Sequence, residues 1–279
     1  MKSLAPHTIL NALTFDVEDY FHVSNFESRI RREDWDSLDS RVERNTYRIL
    51  DILAGSHIQA TFFVLGWVAE RFPRLLREIA DGGHEIGTHS YGHRLVYDLT
   101  PEQFRSDLRR SIDILEQTGG HKVLGHRAPS FSVTPDSVWA LDILQEEGLE
   151  YDSSVFPIRH HRYGWPSAPR APYQVRPGFW EVPMATVRIA GRNIPIAGGG
   201  YFRLYPYPLT RWALDAVNRE CQPVVVYLHP WELDPAQPRI RAPWLARFRH
   251  YNNLRRTAPR LQRLCAEFHF TTVRKVLGL

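Results

Sequence analysis

This 279-residue sequence predicts an α/β fold built on a parallel sheet. Three observations predict it. Short apolar runs alternate with helical patterns through the first half, as strands joined by helical crossovers require. Val224 to Leu228 is an unbroken apolar run, as expected for a strand buried on both faces. Residues suited to metal or acid–base chemistry follow directly on several of the strand-like runs.

Taken in order, Ile9 to Val17 reads as the first strand. Ser40 to Leu53 reads as a helix, with Val42, Ile49, Leu50 and Leu53 broadly on one face and Gly55 as a stop. Gln59 to Leu65 is rich in β-branched and aromatic residues and reads as a strand. Pro73 to Ala80 reads as a helix closed by Gly82-Gly83, and His84 to Thr88 as the next strand. Thr100 caps a further helix, with Pro101 at its first position and Gln103 completing a capping box. Val123 to His126 is a short strand. Thr134-Pro135 opens a helix that runs to Glu147, and Tyr151 to Phe156 is again strand-like.

The second half is less regular. Residues 157–178 contain five prolines and read as an ordered loop. Trp180 to Ile189 and Asn193 to Ile196 suggest a hairpin around Gly191-Arg192. Gly198-Gly199-Gly200 suggests a turn, and Leu209 to Arg219 a helix. A helix near Leu261 to Phe268 and a strand from Phe270 to Val273 complete the pattern. No internal repeat or linker divides the chain, so a single domain over 1–279 is expected.

Composition excludes a disordered scaffold: 43% of residues are hydrophobic and 24% charged, with no low-complexity tract. The net charge of +4 is unevenly placed, since Arg239 to Leu279 holds ten basic residues and one acid. Such a basic C-terminal arm is either a solvated helix face or a contact for an anionic partner, such as a phosphate, an acidic glycan or a membrane surface beside a synthesis complex. No aromatic-interleaved motif accompanies the arginines, so nucleic acid is not expected. Cys221 and Cys265 lack metal-ligand spacing and read as buried free thiols. The start, Met1 to His7, has no long apolar segment, and the longest apolar run, Ala60 to Ala69, is too short to span a bilayer. A cytoplasmic protein is the expectation.

The chemistry lies in scattered short motifs. Asp16, Glu18 and Asp19 cluster at the end of the first strand. Packed carboxylates need a cation to offset their repulsion; one would ligate it and another, left free, would act as a base. His89 and His93, four residues apart, would share one ion if the segment between them is a helical turn. Two imidazoles and a carboxylate suit zinc or another first-row divalent ion, which lowers the pKa of bound water and polarises a carbonyl oxygen. Arg127, in Arg127-Ala128-Pro129, offers a fork that clamps a carboxylate bidentately. His229, after the buried strand, is a candidate general acid. Trp165, Phe179, Trp180, Tyr201, Phe202 and Trp231 offer stacking surfaces for sugars, or else fill the core.

Thr14-Phe15-Asp16, His89-Ser90-Tyr91-Gly92-His93, Arg127-Ala128-Pro129 and Leu228-His229, in this order, resemble the motifs of the NodB-homology polysaccharide deacetylases of carbohydrate esterase family 4. The resemblance covers nearly the whole chain. Asp16-Val17-Glu18-Asp19-Tyr20-Phe21-His22, Tyr151 to Pro157 and His229-Pro230-Trp231-Glu232 are similar to a bacterial exopolysaccharide-associated subgroup. The resemblance implies a distorted, TIM-like (β/α) barrel of about seven strands, and hydrolysis of the N-acetyl group of an amino sugar in a poly- or oligosaccharide. It implies one divalent ion, with Zn2+ ahead of Co2+ or Ni2+. By position it makes Asp16 the base, oriented by Arg127, and His229 the acid. Asp19, His89 and His93 become the metal ligands, with Glu18 the alternative to Asp19. Ser130 becomes a backbone oxyanion donor, Tyr201 and Trp231 substrate contacts, and Asp152 a support for His229. Two other readings stand beside it: a C–N hydrolase acting on a small amide or lipid-linked amino sugar, and a non-catalytic glycan binder.

Overall fold

The sheet is built outward from β1 (Asn11–Val17), all seven residues of which are buried. A computed structural model describes residues 9–160, 162–196 and 198–279. The N-terminal segment read above as lacking an apolar leader lies outside them.

After β1 come α1 (Val42–Ser56), β2 (Thr61–Val64), α2 (Gly66–Arg71), α3 (Pro73–Asp81) and β3 (Glu85–Thr88). The chain continues through α4 (Pro101–Gly119), β4 (Gly125–His126), α5 (Trp139–Glu146) and β5 (Tyr151–Asp152). Then follow β6 (Tyr173–Arg176), β7 (Phe179–Glu181), β8 (Thr186–Ile189) and β9 (Arg192–Pro195). The remaining elements are α6 (Gly199–Leu204), α7 (Tyr207–Arg219), β10 (Val225–Leu228), α8 (Trp244–Tyr251), α9 (Leu254–Glu267), β11 (Phe270–Thr271) and α10 (Val273–Leu277).

Eight strands run in the order β10-β1-β2-β3-β4-β5-β7-β6, and β11 adds to β1. All pairs are parallel except β6–β7. This is the expected distorted barrel, with one strand more in its main path than the seven expected. It curls without closing: among the described residues β6 and β10 do not pair. Strands of the second half join the same sheet, with β10 pairing β1 from Ala12–Val225 to Phe15–Leu228. The separate hairpin β8–β9 forms around the turn at Gly191, but its first arm begins at Thr186, because Trp180 lies in β7 of the main sheet.

Local signals explain most elements. Thr100 accepts from the Gln103 N–H at 3.2 Å while the Gln103 side chain accepts from the Thr100 N–H at 3.0 Å, so the capping box forms in full. The β1 and β2 core packs Phe15 on Phe62, their ring centres 5.1 Å apart. Differences arise where tertiary context overrides pattern. The helix expected from Thr134 opens as a 3-10 turn at Pro135–Ser137 before α5. Residues 173–176, within the expected loop, pair with β7 as an edge strand. Gly199 and Gly200 begin α6 instead of forming a turn. Helices α2 and α8 were not anticipated, and α9 begins seven residues before Leu261 because packing tolerates Pro259 inside it. Cys221 is exposed, contrary to expectation, and Cys265 is buried; both are free. No described helix is long and apolar enough to cross a membrane.

Gly198 runs beside β10 through a single bridge to Tyr227, at φ 129°. A Cβ at this position would sit 1.9 Å from the Tyr227 carbonyl oxygen. Gly198→Ala is therefore expected to destabilise the protein by about 3 kcal/mol, through a clash with backbone and a left-handed conformation. Equilibrium denaturation checks this, and an unchanged midpoint would show that the crossing is not tight.

Candidate active site

The parallel strands deliver the motif residues to one end of the sheet. Asp16 lies near the end of β1, His89 follows β3, Arg127 follows β4 and His229 follows β10. Asp16, Glu18, His93, Ser130, Tyr201 and His229 line a cavity of about 450 Å3, with His89 and Arg127 packed behind them.

Arg127 is the hub. Its side chain is fully buried and stands 4.2 Å over the Phe63 ring. Nη1 donates to Asp16 Oδ1 at 2.8 Å and to Thr14 Oγ1 at 2.7 Å. Nε and Nη2 donate to the Ser153 carbonyl and hydroxyl at 3.0 and 2.9 Å. The expected bidentate fork on a carboxylate therefore does not form: Asp16 receives one guanidinium nitrogen, and Ser153 receives the other two. Asp16 keeps Oδ2 turned into the site, 3.8 Å from His229 Nε2.

Glu18, His89 and His93 form the one cluster of metal-ligand type among the described residues, and all three are buried. Glu18 Oε1 lies 3.0 Å from His89 Nε2 and 3.1 Å from His93 Nε2. His89 Nδ1 is 2.7 Å from the Arg127 carbonyl. A carbonyl can only accept, so Nδ1 carries the hydrogen, and a neutral His89 presents a bare Nε2 to a carboxylate. Acceptors facing each other at that distance call for a cation or an added proton, and the donor set of two nitrogens and one oxygen fits a divalent ion. Burial would raise the Glu18 pKa, but the neighbouring imidazoles of His93, His229 and His89 hold it well below the usual carboxylate range.

The imidazoles do not converge through a helical turn. The segment is a bend in which Ser90 and His93 take φ of 63° and 51°. Other elements hold the bend: the Asp107 carboxylate accepts from the Tyr91 and Gly92 N–H groups, and Arg32 donates to the Gly92 and His93 carbonyls.

Asp19 is not part of the cluster. Oδ2 accepts from Ser40 Oγ, Arg41 N and Val42 N at 2.7, 2.6 and 3.0 Å, and Oδ1 from Tyr20 N at 2.9 Å. Its carboxylate is thus spent on the start of α1, and Glu18 takes the place expected of Asp19. β1 ends at Val17 and the Glu18 N–H bonds back to the Asp16 carbonyl at 2.9 Å, so strand alternation does not reach these acids and the folded turn decides between them.

Asp152 does not support His229. It accepts from Ser154 Oγ and pairs with His126 Nδ1, both at 2.7 Å, in a buried group beneath the site. The partner of His229 is Glu232, whose Oε1 lies 2.8 Å from Nδ1. Arg203 holds Glu232 from the other side at 2.5 Å. The spacing within His229-Pro230-Trp231-Glu232 could have revealed Glu232, but nothing in the sequence marks Arg203. Burial alone would lower the His229 pKa. Glu18, Glu232 and Asp16 outweigh it and raise the value to about 9.

Ser130 sits at the cavity with φ 51°, its hydroxyl 2.7 Å from Ser24 Oγ. Its N–H meets no protein acceptor among the described residues. Tyr201 lines the cavity, its hydroxyl 3.5 Å from that of Tyr163. Trp231 touches the cavity but is only 5% exposed and is stacked on His229 and His250, which leaves it little face for a sugar. Phe179 and Phe202 are core residues.

A family model described as "Polysaccharide deacetylase" matches residues 11–151. The chain belongs to the polysaccharide deacetylase family. Residues 153–278 match a second model, a domain of unknown function (DUF3473). A peptidoglycan-N-acetylglucosamine deacetylase of Bacillus cereus is 28% identical over 120 residues, covering 39% of this chain and 44% of that protein. A peptidoglycan deacetylase of Helicobacter pylori is 29% identical over 131 residues, covering 47% and 40%. The chain thus spans less than half the length of these relatives. Among solved structures, a candidate polysaccharide deacetylase from Mycobacterium smegmatis shares the fold with a TM-score of 0.66 at 21% identity, covering 100% of this chain and 92% of that one. A family 4 carbohydrate esterase from Streptomyces lividans does so at 0.52 and 17%, covering 96% and 93%. A family 4 pseudoenzyme from Bacillus anthracis does so at 0.51 and 16%, covering 98% and 66%.

Exchange of the two neighbouring acids separates their roles. Asp19→Ala is expected to cost about 1–2 kcal/mol, as loss of a helix cap does, while zinc binding persists. Glu18→Ala should weaken zinc binding. Denaturation and zinc titration of both variants check this; loss of zinc binding in Asp19→Ala alone would reverse the assignment.

Proposed function

We propose that the protein is a metal-dependent N-deacetylase acting on acetylated amino sugars of a poly- or oligosaccharide. The observation that carries the reading is the joint placement of Asp16, His229, Glu18 and His93 at one cavity, with His89 completing the cluster around Glu18. The relatives' description as peptidoglycan deacetylases supports the reaction class. The likeness of the longer motif strings to exopolysaccharide-associated proteins supports a biosynthetic setting.

A divalent ion held by Glu18, His89 and His93, with zinc the best match to their donor atoms, would supply Lewis acidity for the acyl oxygen and acidify water. Asp16, fixed by Arg127 through Oδ1, takes the proton of the attacking water on Oδ2. The Ser130 N–H donates to the oxygen that gains charge as the carbonyl carbon becomes tetrahedral. His229, kept protonated and oriented by Glu232, donates from Nε2 to the departing nitrogen. Acetate and a free amine leave. A cation at Glu18 would remove part of the pull on the His229 proton and ease its transfer. Arg203 acts on His229 only through Glu232 and is a positioning residue.

Acetate release from N-acetylated oligosaccharides tests the reading. Chelation should abolish release and zinc restore it. Asp16→Asn should lower the rate at least about 100-fold with zinc still bound. Release by Asp16→Asn at the original rate would remove Asp16 as the base. No release by the zinc-loaded wild type from any acetylated glycan would favour the non-catalytic reading.

A further inference from the structure

Around the rim of the cavity, charge is distributed unevenly. Among the described residues Asp16 and Glu18 are the only carboxylates that line it, and both belong to the catalytic floor. Arg162 and Arg249 line it as well, and neither forms an ion pair with a carboxylate among the described residues. Arg203, by contrast, is buried and engaged by Glu232.

A second depression adjoins the cavity. Phe248 borders both, and the second, of about 310 Å3, is otherwise formed by Arg239, Trp244, Arg247 and Tyr251. Trp244 is 75% exposed and Phe248 47%, with ring centres 6.4 Å apart. Large aromatic faces left in water on an eight-residue helix invite a ligand with an apolar face. From residue 235 to 266 the chain has eight arginines and no acid.

We propose that the polymer handled by this site is an acidic glycan, in which carboxylate-bearing sugars neighbour the N-acetylated one, and that it runs from the cavity across α8. The inference rests on the deacetylase reading and specifies its substrate class. Arg162 and Arg249 receive the carboxylate of the sugar next to the reacting one, since a guanidinium fork matches a carboxylate in shape and charge. Trp244 and Phe248 carry sugar rings further along, with Arg239 and Arg247 beside them for the next carboxylate. A neutral polymer would gain from the aromatic faces but offer these four arginines no carboxylate. An anionic lipid surface would satisfy α8, but it would not account for the two arginines that line the cavity without a carboxylate partner.

Titration calorimetry tests this on the whole 279-residue chain carrying Asp16→Asn, loaded with zinc, so that binding is read without turnover. The probes are a hexamer alternating glucuronic acid with N-acetylglucosamine, a hexamer of N-acetylglucosamine, and phosphatidylglycerol vesicles. The acidic hexamer is expected to bind at least about tenfold tighter than the neutral one, as one charge-assisted contact provides. High salt and the double change Arg162→Ala/Arg249→Ala should each shrink the gap. Trp244→Ala should weaken both hexamers, and its thermal midpoint shows whether the fold is intact. Equal affinity for the two hexamers overturns the proposal. So does vesicle binding that is lost in Trp244→Ala while neither hexamer is affected. A preserved affinity gap with no acetate release from the wild type counts against the deacetylase reading alone. Acetate release with no gap counts against the acidic glycan alone.

Discussion

One fully buried guanidinium holds the site together. Arg127 touches β1 through Thr14 and Asp16 and the chain after β5 through Ser153, and its own carbonyl sets the hydrogen on His89. Three strand ends and two functional groups therefore depend on one side chain. Such a buried pair need not add stability over apolar packing, but leaving either charge alone in the interior costs about 3–5 kcal/mol. Its consequence is geometric: one oxygen of Asp16 is committed, and the other is left facing His229.

The remaining groups are aimed in the same way, by partners outside the motif strings. Asp107 on α4 and Arg32 shape the bend between His89 and His93. Glu232 and Arg203 orient His229, and Asp234 ties the same loop to Arg41 and Arg44 beside and on α1. The site is thus a set of buried acceptors and cations placed by the sheet and balanced against one another. A cation among Glu18, His89 and His93 would complete that balance.

Much of this was legible in the sequence because it is local. The capping box at Thr100 and Gln103 uses only neighbouring residues, and so does the unbroken apolar run of β10. The positions of Asp16, His89, Arg127 and His229 at strand ends follow from where the apolar runs stop. The choice between Glu18 and Asp19 was harder. The strand ends before both, and the decisive fact is that the N–H groups of Arg41 and Val42 take up Asp19. The start of a helix more than twenty residues away consumes that carboxylate. Similarly, Trp231 has the composition of a sugar platform, but it is stacked on His229 and His250, and the structure puts exposed aromatic faces on α8 instead.

By itself, the sequence determined the alternation of strands and helices, the residue types that bear the chemistry and the family to which the chain belongs. Periodicity, caps and short motifs act over a few residues and need no partner from elsewhere. Only the tertiary structure decided which acids share the pocket, which one serves as a helix cap, what holds His229 and which arginines face the cavity without a carboxylate. Those outcomes depend on contacts between segments far apart in the chain. There, a buried charge takes whichever partner the folded backbone brings within hydrogen-bonding distance.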